Sequence, residues 1–92
     1  MSRPCKNRIV SSSPEVVYFK PAGIKKKFLE EVEIKLDEYE AFRLANIDEL
    51  SMALGADKMG ISAPTFNRIL KKSSKKIADA IINGKAIKIN KK

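Results

Sequence analysis

The chain has 92 residues, a length that suggests one domain, and its 43% hydrophobic and 33% charged residues are the balance of a folded protein, not a disordered one. One cysteine, Cys5, and no histidine exclude a disulfide within the chain, a Cys/His zinc site and any nucleophile pair built on a histidine base. The formal net charge of +8 is unevenly spread: seven Lys/Arg against one acid in residues 1–29, two against nine in residues 30–57, and ten against one in residues 58–92.

Residues 1–14 read as a basic, flexible arm. Pro4, Ser11-Ser12-Ser13 and Pro14 disfavour regular structure, and Arg3, Lys6 and Arg8 supply charge. Two readings stay open for it: cations lying in a DNA minor groove, or a segment disordered until a partner binds. Cys5 reads as a spectator thiol. Residues 15–90 read as a single domain. Val16 to Phe19 is a short β-prone run closed by Pro21 and Gly23, an edge strand or an extended segment that packs Phe19 on the helices. Lys25-Lys26-Lys27 reads as a solvated loop. Glu31 to Leu36 alternates charged and apolar residues, the period of a half-buried strand. Lys85 to Asn90 repeats the pattern, with Ile87 and Ile89 on one face and Lys88 on the other. The two strands can pair as a ribbon, glutamates of the first facing lysines of the second. So small a ribbon must pack on helices or pair across a dimer.

Three helical patterns lie between these strands. The first is expected to start at Asp37, with Glu40 completing a capping box and Tyr39, Phe42, Leu44 and Ile47 apolar. The second runs from its N-cap Ser51 to Met59 and ends at Gly60. The third begins after Ser62, with Pro64 in its first turn, where a missing N–H costs little. Phe66, Ile69, Leu70, Ser73, Ile77 and Ile81 form one continuous face of it, and Asn83-Gly84 stops it.

The stretch 51–72 carries the functional signal. A helix-turn-helix that reads DNA needs two short helices held at a steep angle by a tight turn. Gly60 supplies the turn and Ala56 the close crossing. Met59, Ile61, Phe66 and Ile69 supply the shared apolar face. Ser62 caps the second helix and leaves its first amides, which suit a phosphate, near the surface. Ala63, Pro64, Asn67, Arg68 and Lys71 lie away from the apolar stripe. Arg68 can pair with guanine O6/N7 and Asn67 with adenine N6/N7, while Ala63 and Pro64 offer only apolar contact, for instance to a thymine methyl. Thr65, Lys71, Lys72 and Lys75 suit phosphates, which position the protein without reading sequence. The acidic middle of the chain would then face away from DNA. The bland alternative for the motif is a plain pair of packed helices.

These residues resemble a known family. Arg3-Pro4, Pro14, Tyr18-Phe19-Lys20-Pro21-Ala22-Gly23, Leu36 to Ala45, Met59-Gly60-Ile61-Ser62, Thr65-Phe66, Arg68-Ile69-Leu70 and Gly84-Lys85-Ala86 look like the UPF0251, or DUF134, family of small predicted DNA-binding proteins. The likeness covers nearly the whole chain in order. It implies a helix-turn-helix similar to region 4 of sigma-70-type factors. The chain departs from that pattern at Met52-Ala53-Leu54-Gly55 and at Ala63-Pro64, where the family usually carries polar side chains. Gly55 should loosen the first helix of the motif by roughly 1 kcal/mol relative to alanine.

The expected architecture is therefore mainly α: a helix-turn-helix DNA-binding domain with a small β-ribbon and an extended basic N-terminal arm. The expected function is binding of double-stranded DNA, in transcription regulation. A module that docks on the transcription machinery and a nonspecific nucleic-acid or RNA binder are the alternatives. Phe42 and Phe66 on apolar faces argue against RNA, which wants exposed aromatics. A homodimer is plausible because Ile77, Ile81 and Ile82 exceed what so small a core needs. No glycine-rich phosphate loop or metal-ligand carboxylate cluster stands out, so no enzyme, cofactor or metal is expected. No apolar run approaches the roughly 20 residues that span a bilayer, and Met1 to Lys6 lacks the core of a secretory signal. A cytoplasmic location is the expectation.

Overall fold

The computed structural model describes residues 9–11 and 13–91. The readings made for Arg3, Cys5, Lys6 and Arg8 lie outside the described residues. Strand β1 (Tyr18–Phe19) leads through a 3-10 turn at Lys26–Phe28 to β2 (Glu31–Lys35), followed by α1 (Leu36–Asn46), α2 (Met52–Met59), α3 (Ala63–Asn83) and β3 (Ala86–Asn90). The described residues are mainly α, with three helices and one small sheet.

The sheet has the order β1-β3-β2. β3 is antiparallel to β1, with Phe19 opposite Ile87, and parallel to β2, with Val32, Glu33 and Ile34 opposite Ile87, Lys88 and Ile89. The ribbon expected from the alternation is thus the parallel half of a three-stranded sheet, with β1 as an added edge strand. Its direction follows from the crossover: all three helices are inserted between β2 and β3, and such a connection can return the chain parallel. Glu33 faces Lys88 as expected. Glu31 faces Ala86, and its carboxylate accepts instead from the Tyr18 hydroxyl at 2.7 Å.

Two apolar clusters hold the layers together. Ala41 and Leu44 of α1, Ala56 and Met59 of α2, and Phe66 and Ile69 of α3 form the first. Val32, Ile34 and Ile89 of the sheet form the second with Ala80 of α3. The third helix thus joins both clusters, its first half to the helices and its second half to the sheet.

Local chemistry sets the helix ends. The Ser51 hydroxyl accepts from the Leu54 amide at 3.2 Å and the Ser62 hydroxyl from the Thr65 amide at 3.3 Å, so both serines are N-caps. Gly60 ends α2 with φ 69°, a left-handed conformation that costs a side-chain-bearing residue about 1 kcal/mol or more. The start of α1 corrects the expectation. The strand runs into the helix without a loop, Leu36 is its first residue, and Asp37 lies within the first turn. The carboxylate that reaches back is Glu38, whose Oε1 accepts from the Lys35 amide at 2.9 Å. Glu40, assigned to the capping box, is buried and serves a different network.

Three further expectations change. Gly55 is not a weak point of α2. It is buried under Phe66, and a Cβ there would stand 2.5 Å from the Phe66 ring carbon Cζ, so glycine is what lets the two helices close. The buried stripe of α3 runs through Phe66, Ile69, Ser73 and Ala80, while Ile81 is 70% exposed. The sheet meets the helix at Ala80, one residue short of the extrapolated i,i+4 step. Phe19 is half-exposed. It sits at the edge of an apolar cleft of about 250 Å³ that it shares with Ile34, Tyr39, Phe42, Ile77, Ile87 and Ile89.

Candidate nucleic-acid interface

The α2–α3 pair is built for a fixed relative orientation. Three residues, Gly60, Ile61 and Ser62, connect the helices. The Gly60 amide donates to the Asp57 carbonyl at 3.1 Å and the Ile61 amide to the Ala56 carbonyl at 3.0 Å, closing the end of α2. Ile61 packs on the first cluster, and Phe66 seats on Gly55. Both ends of the turn are therefore pinned by backbone bonds and by a ring with no room to move.

The opposite side of α3 is open. Pro64, Arg68, Lys71, Lys72 and Lys75 are exposed; Thr65 and Asn67 are half-buried; Ala63 is half-buried and packs on the first cluster. From Lys58 to Lys76 the chain carries six cations and no carboxylate. Ser62, Thr65 and Arg68 are linked: the Ser62 hydroxyl donates to Thr65 Oγ1 at 2.9 Å, and Arg68 Nη2 donates to the same oxygen at 3.3 Å. All nine of the α3 positions singled out from the sequence thus fall on one helix and its cap, with Ala63 in contact with the core.

Two concave regions adjoin this side. A groove of about 390 Å³ between the start of α1 and α3 is lined by Lys35, Asp37, Glu38, Thr65, Arg68, Ile69 and Lys72. Here the acidic stretch expected to face away contributes two residues beside Arg68. Glu38 is buried and paired, however, with Lys76 Nζ at 2.8 Å, and the same ammonium donates to the Glu33 carbonyl at 2.9 Å. Further along the helix, Lys72, Lys75, Lys76 and Asp79 line a second hollow. Asp79 is held below the usual carboxylate range by the Asn83 amide and then by Lys85, and it raises Lys85 in return. Sequence reasoning missed Lys35 and Lys76. Lys76 lies in a different element from the carboxylate it meets, so no local pattern marks that pair, while Lys35, the N-cap of α1, enters the groove beside Asp37 and Glu38.

The chain before β1 is also tied to the helices, at the end of α2 and at α1. The Ile9 amide donates to the Met59 carbonyl at 3.1 Å, and the Ser11 amide and hydroxyl both donate to Glu40 Oε2, at 3.1 and 2.7 Å. Arg43 bonds the same carboxylate through Nη2 at 3.0 Å and reaches Asp48 through Nη1 at 2.9 Å. These bonds, Glu40 foremost, raise the Arg43 pKa above its ordinary value. Among the described residues no group of acids or thiols could hold a metal ion, and no helix is long and apolar enough to cross a membrane.

The family described as "Protein of unknown function DUF134" matches residues 1–91. The chain belongs to this family. Its relatives carry the name UPF0251 protein. The one from Caldanaerobacter subterraneus subsp. tengcongensis is 49% identical over 89 residues, which is 97% of this chain and 75% of that one. Those of Thermoanaerobacter sp. and Dehalococcoides mccartyi strain BAV1 are 45% and 47% identical over 89 residues, covering 79% and 76% of their own length. No solved structure matches. The DUF134 family thus extends over both the sheet and the α2–α3 unit, and the names of these relatives state no ligand and no activity.

Proposed function

We propose that the chain binds double-stranded DNA, with α2, the turn and α3 acting as a helix-turn-helix and α3 entering the major groove, and that it serves transcription regulation in the cytoplasm without catalysis. One observation carries this reading: a rigidly held helix whose inner face is the core presents Arg68, Lys71, Lys72 and Lys75 on its outer side, in a stretch free of carboxylates. Cations so placed suit a polyphosphate, and a capped helix N-terminus directed at it adds favourable dipole. Arg68 is the favoured base reader, through guanine O6 and N7, and Pro64 suits a thymine methyl. Half-buried Asn67 and Ala63 serve at the margin of the contact, while the lysines hold phosphates.

Selection of bound duplexes from a random library at near-physiological salt, with RNA as competitor, tests the reading. An enriched motif, lost preferentially on Arg68→Ala by a factor of about 5 to 150 at one base position, is the expected result. Equal loss on every sequence would make Arg68 a phosphate contact. Salt-independent binding, or none, would leave a protein-docking module as the better account of the cationic face.

A further inference from the structure

Lys35 is the one lysine of residues 30–57, a stretch with nine acids. The acids nearest to it are committed elsewhere: Glu31 accepts from Tyr18, Glu33 from Asn90, and Glu38 from Lys76. Lys35 is exposed, and among the described residues its ammonium enters no ion pair. A cation left unneutralised inside an acidic stretch is available to an anion from outside. Its place beside α3 is fixed through the backbone. β2 passes into α1 at this residue without a loop, and Ile34 before it is buried opposite Ile89. The Lys35 amide donates to Glu38 Oε1 at 2.9 Å, and the same oxygen takes Lys76 of α3 at 2.8 Å. One buried carboxylate thus joins the base of Lys35 to the helix that carries Arg68 and Lys72.

Across the groove, Arg68 is steadied on Thr65 Oγ1 at 3.3 Å, and Lys72 makes no ion pair among the described residues. Three cations from two elements therefore line one hollow of about 390 Å³. Of the two carboxylates there, Glu38 is neutralised by Lys76, which leaves Asp37 to oppose them. We propose that this groove seats the DNA backbone, with Lys35 holding a phosphate of the strand that passes between the start of α1 and α3, next to the phosphate that Lys72 holds. The inference rests on the DNA-binding reading above and extends its contact surface beyond the helix-turn-helix to the junction of β2 and α1. Arg68 belongs both to this groove and to the exposed side of α3, so a duplex met by that side brings its backbone to the mouth of the groove. A contact of this kind positions the protein and carries no sequence information.

The test compares the slope of log affinity against log salt for the full-length parent, Lys35→Gln and Lys25→Gln on one duplex. Each variant loses one charge at an exposed lysine, so the two are matched in net charge. Lys35→Gln should lower the slope by about 0.9, the value for one phosphate, and weaken binding equally on selected and random duplexes. Lys25→Gln should keep the parent slope. The same slope in both variants overturns the seat. So does a Lys35→Gln chain with the parent slope while Lys72→Gln lowers it, and that outcome leaves the helix reading intact. A loss confined to one base position would make Lys35 a base reader and overturns the seat as well. Titration of the parent with inorganic phosphate in place of duplex, followed at the Lys35 and Thr65 amide resonances, separates the two sources of the anion. Both resonances should move with duplex and stay in place with phosphate at the same salt. Equal movement would assign the groove to a small free anion and overturn the backbone seat. If no chain binds duplex in a salt-dependent way, the DNA reading fails and the seat falls with it.

Discussion

Gly55 shows how a single side-chain position can invert a propensity argument. In an isolated helix, alanine there would gain about 1 kcal/mol over glycine. Here the added methyl meets the Phe66 ring at 2.5 to 3.0 Å, and Phe66 is fully buried, so the ring cannot swing aside. Overpacking of this kind costs about 1 to 3 kcal/mol or more. Gly55→Ala should therefore lower the thermal midpoint by several degrees, at about 4 to 8 °C per kcal/mol for a domain of this size. A raised midpoint would mean that Phe66 does not seat there. Tyr18 offers a second test at one group. Its hydrogen bond to Glu31, with lesser help from desolvation and charge, pushes the phenol up from 10.0 to about 12. A folded pKa above the unfolded one means that this stabilisation is complete below pH 10 and is lost as pH rises from 10 to 12. Ultraviolet titration of the two tyrosines, repeated with Tyr18→Phe, should remove the phase near pH 12. It should also flatten the alkaline fall in stability. Loss of an earlier phase instead would place Glu31 away from the phenol.

Among the elements, what was legible in sequence is what local chemistry decides. Ser51, Gly60, Ser62 and Gly84 bound α2 and α3 because caps and left-handed turns are settled within four residues. The alternation of Glu31 to Lys35 and of Ala86 to Asn90 marked the strands for the same reason. What stayed hidden depends on partners distant in the chain. The parallel pairing of β2 with β3 follows from the three-helix crossover, and the value of Gly55 depends on the ring of Phe66, in the next helix. The candidate cations of α3 were legible as a run, but their separation into exposed and engaged ones was not. Lys76 belongs to that run, yet it spans 38 residues to Glu38. There it joins the second half of α3 to the start of α1 and covers the Glu33 carbonyl of β2. Glu38 is only 3% exposed, so removing its ammonium partner strands a buried carboxylate. The Lys35 amide remains and Lys76 is 28% exposed, which moderates the loss to roughly 1 to 3 kcal/mol. Lys76→Met should show this in urea unfolding as a lower midpoint with an unchanged slope. An unchanged midpoint would show that the pair contributes nothing.

The folded chain brings the acidic middle and the basic C-terminal third against each other, and this decides which charges act outward. Glu38 engages Lys76, and Glu30 and Asp79 engage Lys85, at 3.5 Å and 3.0 Å. Arg68, Lys71, Lys72 and Lys75 are exposed on the side of α3 away from the core. The net charge of +8 thus overstates what a duplex can use and says nothing of where it is used. Counterion release separates the two classes of lysine, because its slope counts phosphates neutralised, not charges carried. Lys72→Gln with Lys75→Gln should lower the salt slope of duplex binding by about 2, at roughly 0.9 for each phosphate, and leave stability near that of the parent. Lys76→Gln removes one charge from the same helix, yet it should leave the slope close to the parent value and lower stability instead. Were the three lysines to act alike on the slope, binding would follow total charge alone. A held helix face would then not be its cause, since a diffuse positive field draws phosphate without regard to which lysine supplies it.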